Sequence, residues 1–212
     1  FEITGGTLNG DQTFTSGGGW TGGTLGSGST TIDSAALFTV NNPGVSVATS
    51  RNINIVGTMD WDAGDLILNQ GSILANNGTF NDSADAKIRT SSGTKGVFNN
   101  NNGATYNKDG TGTSELQVTF NNTDGTLNVN AGTMVLNGGG VANAGATIEV
   151  ASTAALEFKS SYNIDDAAGL LGQGEYKLSA GTLTLNGTAE VYDFQLAGGI
   201  LSGDQTFTQG LT

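Results

Sequence analysis

A chain of 212 residues with 35 glycines, one proline, no cysteine, no histidine and a formal net charge of −12 excludes several classes at once. Without cysteine there are neither disulfides nor thiolate metal sites, which suits export without oxidative folding. The few, scattered basic residues and the acidic balance oppose nucleic-acid binding, and no apolar run approaches the ~20 residues of a membrane helix, so neither nucleic acid nor membrane is expected as a partner of this segment.

The opening block FEITGGTLNGDQTFT at 1–15 returns near the end as FQLAGGILSGDQTFT at 194–208. Phe1 aligns with Phe194 and Gly10 with Gly203, the same offset in both cases. The pattern predicts a single solenoid segment over 1–212, with one long tandem repeat at 1–193 and the start of the next copy at 194–212. On this reading the chain is a piece of a longer one, whose targeting or anchoring segments lie elsewhere.

A shorter motif recurs inside the long one: an apolar residue, a spacer, two small residues, a variable residue, then Leu or Met. It reads ITGGTL at 3–8, WTGGTL at 20–25, WDAGDL at 61–66, VNAGTM at 129–134, LSAGTL at 178–183 and LAGGIL at 196–201. Trp20 and Trp61 occupy its apolar position and are expected in the core, not as outward platforms for sugars. The gaps hold Asn-rich turns that lead into strands: NNGTF at 76–80, NNGATY at 101–106, NTDGTL at 122–127 and NAGATIEV at 143–150. The leading glycines, Gly57, Gly78, Gly103, Gly125 and Gly145, recur at roughly the 20–25-residue spacing of solenoid repeats. That period exceeds a hairpin, falls short of a βαβ unit and matches one coil of a β-solenoid.

The strands alternate with period two. Ile148 and Val150 share a face, as do Leu156 and Phe158, Tyr176 and Leu178, and Leu183 and Leu185. Gly, Asn and Asp between them suit corners that need the left-handed conformation. No segment carries helical apolar spacing over three turns; 164–171 offers at most one helical turn or a corner bulge. Short strands and sharp turns at this period predict an all-β parallel β-helix with coils of about 20 residues. Nine or ten coils would advance about 45 Å per long repeat, and each inward Leu or Phe contributes roughly 1.5–3 kcal/mol. Asn runs such as 99–102 are expected either as amide ladders at corners or as solvated turns.

At GTLNVNAGTMVLNGGGVANAGATIEVASTAALEF (125–158) and WTGGTLGSGSTTI (20–32) the chain resembles bacterial giant surface proteins with β-helical repeats. These are the passenger domains of autotransporter adhesins and filamentous-haemagglutinin-like exoproteins. The resemblance implies a right-handed parallel β-helix outside the cell, with roles in adhesion, biofilm or filament building. It carries over no binding residues.

Parallel β-helices also host polysaccharide lyases and hydrolases, and tailspike-like carbohydrate-binding modules. Asn163-Ile164-Asp165-Asp166 and Lys87-Ile88-Arg89 superficially match the acidic and basic motifs of polygalacturonase-like enzymes, without their histidine. Adjacent Asp165 and Asp166 would point to opposite faces of a strand, so a corner turn is expected there and no catalytic residue is assigned. Asp60, Asp62 and Asp65 around Trp61 are the densest acidic group, with Asp60 and Asp62 facing out; they read as a solvated face or a site for a hard cation. No cofactor or metal is assigned. The Thr-x-Thr pairs Thr13/Thr15, Thr182/Thr184 and Thr206/Thr208 are too few for an ice-binding file and read as strand formers.

The expectation is a non-enzymatic structural repeat of a long extracellular protein on a bacterial surface, a rod for adhesion, matrix or sheath. It would self-associate head-to-tail or laterally through solenoid ends and faces, with cell-surface or matrix polysaccharide as a further partner class.

Overall fold

A computed structural model of the chain describes residues 1–207, and among these every element is a strand. The fold is a parallel β-solenoid with three sheets, visited in the order I, II, III by each coil of about 21 residues. Four long strands, Glu2–Leu8, Gly18–Leu25, Leu37–Thr49 and Thr58–Asn69, bend across the corner between sheets I and II. They bend at Gly5-Gly6, Gly22-Gly23, Asn42-Pro43-Gly44 and Ala63-Gly64, where the pairing register slips. Beyond them the corner becomes a turn and the sheets separate. Thr79–Asp82 continues sheet I onto the first half of Thr58–Asn69, and Lys87–Arg89 continues sheet II onto its second half. Sheet III runs independently through ten strands, from Gln12–Phe14 to Ile200–Ser202, so nine coil-to-coil steps lie between its ends.

Alternation sends one residue in two inward, and the inward files carry the core. Ile148, Val150, Leu156, Phe158, Tyr176, Leu178, Leu183 and Leu185 are all buried, as their spacing predicts, and so are Trp20 and Trp61. Coil length varies along the axis. Glu2 pairs with Gly19, Asn81 with Asn107 and Ala189 with Phe207, so the coil that starts at Asn81 is much longer than those near either end. The coils around Asn81 hold an aromatic cluster. Trp61, Phe80, Phe98, Tyr106 and Phe120 pack with ring centroids 5.0 to 6.2 Å apart, several edge-to-face.

The recurring terminal segment does not return to the same face. Ile3 pairs with Trp20 in sheet I, whereas the aligned Leu196 pairs with Leu178 in sheet II. Gln12–Phe14 lies in sheet III, whereas Gln205–Phe207 pairs with Gly187–Ala189 in sheet I. The offset between the two blocks therefore spans nine coils and about a third of another. Thr208, the last residue of the recurring block and of its Thr-x-Thr pair, lies outside the described residues, as do 209–212.

Coils approach so closely at some corners that only glycine fits. A Cβ on Gly140, whose φ is +142°, would stand 1.8 Å from the Phe120 carbonyl oxygen one coil below. Gly140→Ala is expected to cost at least about 1–2 kcal/mol, read as a lower thermal midpoint. Gly5→Ala, which meets nothing within 4 Å, is the control expected to stay near wild type.

Candidate functional site

The outward acidic group is dispersed by the bend it sits on. Asp60 lies in sheet I and accepts the Asn81 amide at 2.8 Å, heading a surface file that continues through Asn107 and Asn128 at 2.9 Å per step. Asp62 is exposed at the corner, where partial desolvation, followed by the neighbouring Asp60 charge, raises its carboxyl pKa. Asp65 lies in sheet II, where it accepts the Arg89 Nε at 2.7 Å and the Lys87 backbone N–H at 3.1 Å. Among the described residues no group of three or more metal-ligating side chains converges. Trp61 between these carboxylates points inward, and its indole N–H donates to the Gly64 carbonyl at 2.9 Å. Trp20 makes the corresponding, longer bond to Gly23 at 3.4 Å. The Trp-x-x-Gly part of the motif is thus a corner brace.

Asp165 and Asp166 sit in the turn after Tyr162–Ile164. The Asp165 carbonyl accepts the Ala168 N–H at 2.9 Å and its side chain accepts the Asn163 amide at 2.8 Å. Lys87–Arg89 belongs to a coil three turns earlier, so the acidic and basic stretches do not meet.

The denser polar chemistry faces inward. Asn76, Asn100 and Asn122 end three successive strands of sheet III and are fully buried. Asn76 Nδ2 donates to Asn100 Oδ1 at 2.8 Å, and Asn100 Nδ2 to Asn122 Oδ1 at 2.9 Å. Each amide also donates sideways to the backbone carbonyl of Thr105, Thr126 or Thr147, at 2.9 to 3.1 Å. Amide ladders therefore form at the corners, inside the core as well as outside it, where Asn54, Asn77 and Asn101 make a parallel surface file.

Arg51 is almost wholly buried at the corner between sheets II and III. Its guanidinium donates to the carbonyls of Gly10, Gly26 and Ser27 at 2.8 to 3.2 Å, to Thr30 Oγ1 at 3.0 Å, and to Gln12. Burial lowers its pKa, partly offset by Asp11.

The third inward cluster lies at the irregular corner between sheets I and II. Asp82 is buried; it accepts the Ser114 hydroxyl and the Tyr106 hydroxyl, each at 2.9 Å, and the Ala84 N–H at 3.2 Å. Desolvation pushes its carboxyl up to about 6, against the pull of those bonds and of Lys108. Lys108, paired in register above Asp82 and fully buried, donates to Asp85 Oδ1 at 2.8 Å and to the Gly110 carbonyl. Because the folded pKa of Asp82 exceeds the ordinary value of 3.8, the native state binds more protons between about pH 4 and 6. Stability from this group is therefore present at acid pH and lost as pH rises through about 6. Wild type should gain stability relative to Asp82→Asn as pH falls from 7.5 to 4.5, read by denaturant midpoints at both pH values.

A shallow groove runs along the same edge in later coils. One hollow of about 440 Å³ is lined by residues that include Glu149, Leu171, Gln173, Glu190 and the half-exposed Tyr192. It adjoins a second of about 410 Å³ lined by Thr133, Ser152, Gln173, Glu175 and Asp193 among others. The groove is acidic and open.

The inward charges carry a signal in the sequence. Arg51 precedes Ile53 and Ile55 in alternation, Asp82 follows Phe80, and Lys108 follows Tyr106, so each takes a core position by parity. No protein-family model, curated protein or solved structure matches this chain.

Proposed function

We propose that this chain is a structural stretch of a long extracellular rod, exposed on a bacterial surface and used in adhesion, matrix or sheath building. The observation that carries the reading is where the polar side chains are spent. Buried amides, the Arg51 guanidinium and the Asp82–Lys108 cluster bond from coil to coil along the axis, as do the surface Asn files. Such bonds stiffen a solenoid against bending and against loss of single coils, which is the property a spacer needs. Each long repeat would add about 45 Å of reach. Head-to-tail or lateral association of copies is part of the same proposal.

The full-length protein should appear as elongated rods by electron microscopy and be removed from intact cells by external protease. Compact particles, or a protein protected inside cells, would overturn the proposal. The acidic groove supports a second contact within the same role. The half-exposed Tyr192 lines the groove with Glu149 and Glu190, a combination suited to stacking on and hydrogen-bonding a hydroxyl-rich polysaccharide.

A further inference from the structure

Lys108 ends its strand with its side chain in the core, and its ammonium meets the Asp85 carboxylate of the preceding coil at 2.8 Å. We propose that Lys108 and Asp85 condense within the folded chain to an amide cross-link that joins the two coils covalently.

The surroundings supply each requirement of that reaction. Asp85 Oδ2 accepts the Gly112 N–H at 2.9 Å, so the carbonyl under attack is polarised by a fixed backbone donor. Asp85 holds a positive φ of +50°, a conformation non-glycine residues adopt at a cost, and its carboxylate is thereby aimed at the amine. Glycines close over the pair: a Cβ on Gly110 would lie 2.2 Å from Asp85 Oδ1 and 3.0 Å from Lys108 Nζ, and one on Gly112 2.8 Å from Asp85 Oδ2. The two reacting groups are held in contact by the fold, which gives an intramolecular reaction its high effective concentration. Asp82 stands in register beside Lys108 with its carboxyl raised to about 6, able to exchange protons near neutrality.

The balance is simple. The Nζ–Cγ bond forms and the Cγ–Oδ1 bond breaks. One ammonium proton stays on the new amide and two leave with Oδ1 as water. No oxidant or co-reactant is needed. A buried ammonium and a carboxylate are replaced by one neutral amide, which relieves the desolvation cost of the ion pair.

Intact-mass measurement of the purified chain tests the bond. Wild type should weigh one water less than its encoded mass, and trypsin should leave Lys108 uncut in a branched peptide carrying Asp85. Lys108→Arg should keep its full encoded mass, which separates the cross-link from a succinimide at Asp109-Gly110, another route to losing water. Asp85→Asn should converge on the wild-type product mass, since ammonia then leaves in place of water. A wild-type chain at its encoded mass, or a Lys108→Arg chain still one water short, would overturn the proposal.

Discussion

Asn100→Asp is expected to destabilise the solenoid by roughly 3–5 kcal/mol at pH 7, although it changes a single atom of the side chain. Asn100 Oδ1 accepts the Asn76 amide, and an aspartate could still do so. Its Nδ2 donates to Asn122 Oδ1 and to the Thr126 carbonyl, and there the substitution sets oxygen against two oxygens at a site closed to water. The buried carboxylate should titrate well above its ordinary range. Its protonated form restores a donor, so the defect shrinks as pH falls, the sign opposite to that of a solvent-exposed, salt-bridged acid. Asn100→Leu removes the bonds without adding charge and is expected to cost less, about 1–3 kcal/mol. Denaturant unfolding at pH 7 and pH 4 distinguishes the two. An aspartate variant within about 0.5 kcal/mol of wild type at both pH values would show that the ladder contributes nothing.

Arg51→Met should produce a loss of similar size, about 3 kcal/mol or more, confined to one end of the solenoid. Methionine fills much of the volume but leaves the carbonyls of Gly10, Gly26 and Ser27 without the guanidinium donor. Those carbonyls belong to the first two coils, which Arg51 reaches from the third. Each coil packs only on its neighbours, so the damage should stay local. Hydrogen exchange should accelerate across 2–32 and remain unchanged across 140–185. Arg89→Met, which breaks a partly exposed pair with Asp65, is the contrasting case and is expected to cost no more than about 1 kcal/mol. Uniform acceleration along the chain would contradict the nearest-neighbour picture.

Much of this molecule was legible from residues alone. Period-two alternation placed Trp20, Trp61, Ile148 and Phe158 in the core, and the Gly-led turns between Gly57 and Gly145 predicted coils close to the observed length of about 21 residues. The corner reading of Asp165-Asp166 and the outward placement of Asp60 and Asp62 also match the structure. The buried charges were half legible. Parity marked Arg51, Asp82 and Lys108 as inward, but nothing local named their partners. Arg51 meets residues 21 to 41 positions before it, and Lys108 meets Asp85 from 23 positions away. Which residues stack depends on the exact length of every intervening coil.

Residue order was enough for a repeating all-β coil, the residues its strands bury and the corners its glycines turn, because alternation and turn chemistry act over a few residues. Which residues lie above which was settled by the assembled solenoid, because register accumulates the lengths of coils that differ from one to the next. The block shared by 1–15 and 194–208 shows the difference most plainly. Its closing hexapeptide GDQTFT is identical in both places, yet Ile3 stands in sheet I and the aligned Leu196 in sheet II. Unequal coils do not divide the offset between the two blocks evenly, so the shared residues fall on the next face of the solenoid.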